Sequence, residues 1–234
     1  MNRPLLLGHR GARSVRSIPE NTIASFDRAL SDGCDGFEFD VRLTRDGDAV
    51  VFHDEKMRLT RIAHATAARL SRLPRLQDVL QRYQNSAFLN IELKVAGIEE
   101  VAASLLQKYP PARGYIVSSF LPEVLWSLHA MLAEIRLGLI CENEQQLSLW
   151  SELPMQSVMT HRKLATPDTI SKLKKAGKDV FVWTVNDAHE MLQFAEFGVA
   201  GIISDKTDLL SRTLRLTEGP LADTRGRDIE ETGD

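Results

Sequence analysis

Short apolar runs alternate along the chain with stretches in which apolar residues recur every three or four positions, the two periods that separate buried strands from amphipathic helices. Leu5-Leu-Leu-Gly8 is a strand that ends at His9-Arg10-Gly11. Pro19-Glu20-Asn21-Thr22 opens a helix through Ile23, Phe26, Ala29 and Leu30, closed by Gly33. Leu76, Val79, Leu80 and Tyr83 form a second helical face, and Phe88 to Lys94 is a strand with Asn90, Glu92 and Lys94 on one side. Further strands fall at 115–120, 136–140, 157–160, 180–185 and 201–204. Helices are predicted over about 98–109, 122–132 and 144–153. Three more begin at the Thr166-Pro167-Asp168 cap, at Asp187 and near Lys206. The alternation predicts a parallel sheet with helical crossovers, and eight strand–helix pairs point to a (β/α)8 TIM barrel, class α/β. No glycine fingerprint follows the first strand, which weakens a dinucleotide-binding sheet as the alternative.

One stretch departs from this rhythm. Gly36 to Asp54 reads as a β-hairpin extending the second strand, with Asp46-Gly47 as a two-residue turn in which both residues need φ > 0. That register sets Asp40 opposite His53 and Arg42 opposite Val51. Within Phe37-Glu-Phe-Asp-Val41 the two carboxylates share one face and the two rings the other. A strand so apolar is largely buried, and buried carboxylates need a compensating cation. Residues 55–74 are basic and without clear period.

The chain has 234 residues, 43% hydrophobic and 26% charged, with net charge −3. This is the composition of one globular domain with room for a large core, assigned to residues 1–216, and it provides no global field for nucleic acid or an anionic membrane. Residues 217–234 are polar and charged and read as a flexible tail. Two cysteines, Cys34 and Cys141, make no disulfide framework, and the N-terminal run of three leucines is too short for a signal or a span. A cytoplasmic location without membrane insertion is expected; oligomeric state is left open.

In such a barrel the chemistry gathers at the C-terminal ends of the strands. The polar residues there are His9 and Arg10, Glu38 and Asp40, Glu92 and Lys94, Ser118 and Ser119, Thr160 and His161, Trp183 and Asp205, with His53 brought in by the hairpin. Glu38, Asp40 and Glu92 converge from adjacent strands. Either they hold a hard divalent cation, Mg²⁺ or Ca²⁺, or some of them pair with Arg10, Arg42 or Lys94. Two histidines suit a general acid and a general base, and Arg10 with Lys94 suits an anionic phosphate. Together they fit phosphodiester cleavage. Trp183 serves either barrel packing or a wall for the substrate's carbon skeleton. The histidines at 64, 129 and 189 are structural, and Lys172, Lys174 and Lys175 form a solvated face.

The ordered motifs resemble the glycerophosphodiester phosphodiesterase family: His9-Arg-Gly-Ala12, Pro19-Glu-Asn-Thr22, Glu38-Phe-Asp-Val41 with Thr44-Arg-Asp-Gly47, Val50-Val-Phe-His-Asp54, Glu92-Leu-Lys94, Val117-Ser-Ser-Phe120, Val182-Trp-Thr-Val-Asn186 and Gly201-Ile-Ile-Ser-Asp205. The resemblance implies hydrolysis of small glycerophosphodiesters to sn-glycerol 3-phosphate and an alcohol. It also implies one divalent metal on Glu38, Asp40 and Glu92, His9 and His53 as the acid–base pair, phosphate held by Arg10 and Lys94, and Trp183 beside the glycerol. The alternatives are a lysophospholipase D-like enzyme acting on lipid and a catalytically silent phosphodiester-binding protein.

Overall fold

The computed structural model describes residues 3–215. Strand β1 (Leu5–His9) leads to helix α1 (Ile23–Ser31), then to β2 (Gly36–Leu43) and its hairpin return β3 (Ala49–Val51). A short ribbon, β4 (Lys56–Met57) with β5 (Thr60–Arg61), precedes α2 (Leu76–Tyr83). The chain continues through β6 (Phe88–Leu93), α3 (Glu99–Lys108), β7 (Tyr115–Ser119), α4 (Pro122–Met131), β8 (Leu137–Cys141) and α5 (Glu144–Ser148). It ends with β9 (Ser157–His161), α6 (Pro167–Lys175), β10 (Asp179–Trp183), α7 (Ala188–Glu196), β11 (Gly201–Ser204) and α8 (Thr207–Arg215). Around the sheet the order is β1, β2, β6, β7, β8, β9, β10 and β11, and β11 pairs back to β1 in parallel. The result is the closed (β/α)8 barrel predicted from the alternation, with β3 as its antiparallel appendage.

Period two divides the strands between two cores. Leu7, Ile116, Ile140, Met159, Phe181 and Ile203 fill the barrel interior. The alternate positions, among them Phe37, Phe39, Leu89 and Ile91, pack outward under the helices. Phe37 stacks on Phe26 of α1 with ring centroids 4.2 Å apart and meets Tyr83 of α2 edge-on at 4.9 Å. Because the phenylalanines face outward, Glu38 and Asp40 must face the barrel axis. The helix starts follow the expected chemistry: Thr22 accepts from the Ser25 amide, Thr166 from Thr169, and Asp187 from His189 and Glu190.

The hairpin register differs from the expected one by a residue. Val41 opposes Val51, Arg42 opposes Val50 and Leu43 opposes Ala49. Only Gly47 has positive φ (83°), and its amide donates to the Thr44 carbonyl at 3.1 Å. The loop is therefore three residues, Arg45-Asp46-Gly47, a type I turn closed by one left-handed glycine. Asp46 stays out of the left-handed region because its carboxylate accepts from Thr44 Oγ1 at 2.7 Å and from the Ala67 amide at 2.9 Å. Asp40 consequently faces Phe52, whose amide donates to the Asp40 carbonyl at 3.0 Å, and His53 lies two residues beyond Val51, where the ladder ends.

Residues 55–74 are also more ordered than their sequence implies. Ile62, Ala65 and Leu70 are buried against Val50, a small core whose members are spaced irregularly along the chain and so carry no periodic signal. Helix α5 stops at Ser148 and continues as a 3₁₀ turn over Leu149–Ser151. The predicted tail, 217–234, lies outside the described residues. Among the described residues no helix is long and apolar enough to cross a membrane.

A Cβ at Gly47 would meet nothing within 4 Å, so a substitution there measures backbone conformation alone. Gly47→Ala is expected to destabilise the protein by about 1–2 kcal/mol, and Gly47→Asn, which tolerates the left-handed region, by clearly less. Urea unfolding of the two variants checks this; equal losses would contradict the assigned turn.

Candidate active site

The mouth of the barrel begins with backbone geometry. Arg10 and Asn21 both have positive φ (51° and 56°). The Asn21 amide and the Ser25 hydroxyl both donate to the Arg10 carbonyl, at 3.0 Å each, so the cap of α1 holds the turn after β1 in place. That turn aims the Arg10 amide at Glu38 Oε2 (2.9 Å) and the Arg10 guanidinium at Glu20 (2.8 Å), with Nε 3.2 Å from Asp40. Asn21 Nδ2 donates to the other side of Asp40 at 2.8 Å.

Glu38 and Asp40 on β2 and Glu92 on β6 meet as expected. β2 and β6 pair with Asp40 beside Glu92, and ligand atoms from all three carboxylates lie within 4.8 Å of one another, fully buried. Both sequence readings of this cluster hold in part. Lys94 Nζ bonds Glu92 at 2.6 Å and lies 3.3 Å from Asp40, while Arg42 instead donates to the His53 carbonyl at 2.7 Å. Burial pushes the Asp40 carboxyl up, but Lys94, Arg10 and Asn21 outweigh it and hold the group below its ordinary range. Burial followed by the neighbouring Asp40 raises Glu92 to about 7, and burial together with Asp40 and Glu92 pushes Glu38 well above its ordinary value.

Glu38 Oε1 is buried with no hydrogen-bond partner. A charged oxygen in that position is stable only beside a cation. The donor set is three carboxylates, so the cluster can hold a hard divalent ion.

Each histidine at the mouth is oriented by a carboxylate. His9 at the end of β1 places Nδ1 2.7 Å from Asp205 Oδ1, and His53 places Nδ1 2.8 Å from Asp54 Oδ1. An ionised carboxylate only accepts, so in both rings Nδ1 carries hydrogen and Nε2 is left for chemistry. His9 Nε2 lies 3.8 Å from Glu38. Burial pushes the Asp205 carboxyl up, yet the bonds from His9 and Asn186 keep it far below the usual carboxylate range. Burial pulls His53 below its ordinary value despite Asp40 and Asp54.

A cavity of about 290 Å³ joins these groups. Its wall includes His9, Arg10, Glu38, His53, Glu92, Lys94 and Trp183, so seven of the eight candidate residues face it and Asp40 lies buried behind them. Trp183 packs edge-on to Phe120, with centroids 6.0 Å apart, and its indole N–H donates to the Met159 carbonyl at 2.8 Å. Of the other strand-end residues, Ser118 donates to Asn90 and Ser119 to the Leu93 carbonyl, both buried. His161 stands edge-on to the outer side of Trp183, 5.2 Å between centroids. Lys174 binds the carbonyls of Phe197 and Gly198, a structural contact.

Spacing places Asp205 at the mouth without a role and assigns none to Arg13, Glu20, Asn21, Asp54 or Glu142. Glu20 bridges Arg10 and Arg13 (2.8 and 2.6 Å), and Arg13 reaches Asp205 at 3.3 Å. The available signal was Glu20-Asn21, two polar residues ahead of a cap that Thr22 alone fills.

Fold and mouth together define an α/β-barrel enzyme equipped for a phosphate ester. A profile of the Glycerophosphoryl diester phosphodiesterase family matches residues 9–209. The chain belongs to that family and is a phosphoric diester hydrolase. A glycerophosphodiester phosphodiesterase of Caldanaerobacter subterraneus subsp. tengcongensis is 30% identical over 91% of this chain and 98% of its own. Another from Bacillus altitudinis is 30% identical over 87% and 95%. Among solved structures, an Oleispira antarctica phosphodiesterase in complex with the product sn-glycerol-3-phosphate superposes with a TM-score of 0.81 at 25% identity, covering 91% of this chain and 97% of that one. A Thermotoga maritima glycerophosphodiester phosphodiesterase has the same fold, with a TM-score of 0.79 at 24% identity over 91% and 99%.

The raised carboxyls link ion binding to protons. With no ion bound, folded Glu92 keeps a proton up to about pH 7 that the unfolded chain releases near its ordinary value of 4.5. The stability this group contributes is full below that ordinary value and lost as pH rises through about 7. Added Mg²⁺ or Ca²⁺ must displace the proton, so the gain in Tm is expected to be large near pH 8 and to shrink toward about pH 5. Glu38→Gln is expected to keep the metal-free Tm while removing the gain. Thermal unfolding with and without ion at the two pH values checks both; a gain independent of pH would contradict the linkage.

Proposed function

We propose that this chain hydrolyses glycerophosphodiesters to sn-glycerol 3-phosphate and an alcohol, with residues 1–216 acting as one catalytic domain. One divalent cation, Mg²⁺ or Ca²⁺, is held by Glu38, Asp40 and Glu92, and His9 and His53 exchange protons with the substrate. The observation that carries this reading is a single cavity in which two imidazoles, each backed by a carboxylate, flank a buried acidic cluster with an unpartnered oxygen. The relatives' names and the product held by the Oleispira enzyme support the substrate class.

The bound ion would supply Lewis-acid stabilisation of charge growing on the phosphate oxygens. Arg10 and Lys94, fixed by Glu20 and Glu92, hold that phosphate from the sides. His53 is kept toward the neutral form by burial and suits the base, taking a proton at Nε2 from the nucleophile. The nucleophile is a water, which gives sn-glycerol 3-phosphate directly, or the substrate's own 2-hydroxyl, which gives a cyclic phosphate that a water then opens to the same product. His9 enters this step doubly protonated, its Nδ1–H on Asp205, and delivers its Nε2 proton to the leaving alcohol, which leaves the ring neutral. Phe120 and Trp183 exclude water from the apolar side of the site.

Release of sn-glycerol 3-phosphate from glycerophosphocholine and glycerophosphoethanolamine tests the reading. Mg²⁺ or Ca²⁺ is expected to support it and EDTA to abolish it. His9→Ala and His53→Ala are each expected to lower kcat roughly 10²–10⁴-fold, and Glu38→Ala to remove metal-dependent turnover. A substrate lacking the 2-hydroxyl reacts far more slowly if that group attacks, and at an equal rate if water does. Cleavage of lysophospholipids in place of both diesters would move the substrate to lipid, and silence on all of them would leave a binding protein.

A further inference from the structure

The cavity has two poles. One holds the phosphate-binding and proton-transferring groups. The other is apolar, formed by Phe120, Ile140, Met159, Trp183 and Ile203. The indole N–H of Trp183, the one polar atom in that group of side chains, is occupied by the Met159 carbonyl. Beyond this apolar patch the cavity wall contains one more acidic residue, Glu142. It directly follows β8, at the C-terminal end of a barrel strand, where substrate-contacting residues of this architecture arise. The Glu142 amide is held by the Gln146 side chain at 2.8 Å, which fixes the backbone there, and its exposed side chain stands near enough to His161 to favour that ring's charged form.

We propose that Glu142 recognises the glycerol hydroxyls and thereby sets the enzyme's preference for glycerophosphodiesters. The inference rests on the substrate class proposed above. With phosphate at the cationic pole, one arm of the diester enters the apolar pole and the other leaves through the mouth. The glycerol arm is the same three-carbon unit in every such substrate, whereas the alcohol varies in size and charge. An apolar pole walled by packed side chains fits the constant arm. Its carbons lie against Phe120 and Trp183, and its hydroxyls need an acceptor that those rings do not offer. Glu142 is the acceptor on that side, and a carboxylate takes two hydroxyl donors at once. The same carboxylate disfavours a second phosphate or carboxylate at the far end of a ligand.

The test is calorimetric binding to the metal-loaded protein of sn-glycerol 3-phosphate and of n-propyl phosphate, which has the same three carbons and no hydroxyl. The wild type is expected to prefer sn-glycerol 3-phosphate by roughly 10- to 100-fold, as bonds to a charged acceptor imply. Glu142→Ala is expected to shrink that preference to within about twofold while leaving n-propyl phosphate binding unchanged, with Glu142→Gln, which keeps one acceptor oxygen, in between. The proposal is overturned if the preference survives in Glu142→Ala or if both ligands weaken equally. It is also overturned if only phosphocholine binding weakens, which would set the carboxylate against a cationic alcohol. Wild-type hydrolysis of glycerophosphocholine, measured in parallel, reports separately on the substrate class.

Discussion

Three carboxylates buried at one point are the constraint on which the rest of this site depends. Their mutual repulsion in a medium of low dielectric exceeds what any pair of strands would tolerate unaided. The chain meets the problem unevenly. Asp40 receives Lys94, Arg10 and Asn21, and Glu92 receives Lys94, whereas Glu38 gets one backbone amide and keeps its other oxygen bare. A structural ion-pair cluster would pair every oxygen. A cluster that leaves one oxygen buried and unpaired is poised for something added. The strained turn at Arg10 belongs to the same economy: its left-handed backbone is what directs the amide to Glu38, and the cap of α1 keeps it there.

Much of this was legible in the sequence because period two is rigid. Phenylalanine on both sides of Glu38 fixes which way the carboxylates point, whatever the details of the turn, and the same holds for Glu92 between Ile91 and Leu93. The strand-end rule, with the hairpin bringing in His53, then gathered seven of the eight candidate residues around one cavity. The hairpin register was misread because Asp-Gly favours a two-residue turn only when aspartate is free to take positive φ. Here Thr44 and Ala67 claim its carboxylate, a tertiary contact that no local rule contains. His53 still reaches the mouth because the ladder ends at Val51 and the residues after it are not bound to its alternation.

The pairing of Asp205 with His9, and the place of Glu142, were not legible for a different reason. Asp205 lies 196 residues from His9, and Glu20 works through two arginines rather than through any period. The Asp205–His9 pairing comes from closure of the barrel, where β11 returns to β1, and sequence spacing carries no trace of it. Glu142 sits after an apolar strand in a polar stretch, Glu-Asn-Glu-Gln-Gln, where an acidic residue looks like ordinary solvated surface.

Closure of the barrel also separates two kinds of electrostatic work. The acidic cluster lies on β2 and β6, and the carboxylate that orients His9 comes from the end of β11, on the far side of β1. Asp205 is tied to Asn186 at 2.7 Å and lies 3.3 Å from Arg13, so it stays ionised and keeps accepting from His9 Nδ1. The tautomer of His9 is therefore fixed before substrate or ion arrives. A base or acid whose ring orientation depended on the cluster would change its proton with every change there. Placing its partner on a different strand from the acidic cluster takes the orientation of the His9 ring out of the cluster's own hydrogen bonds.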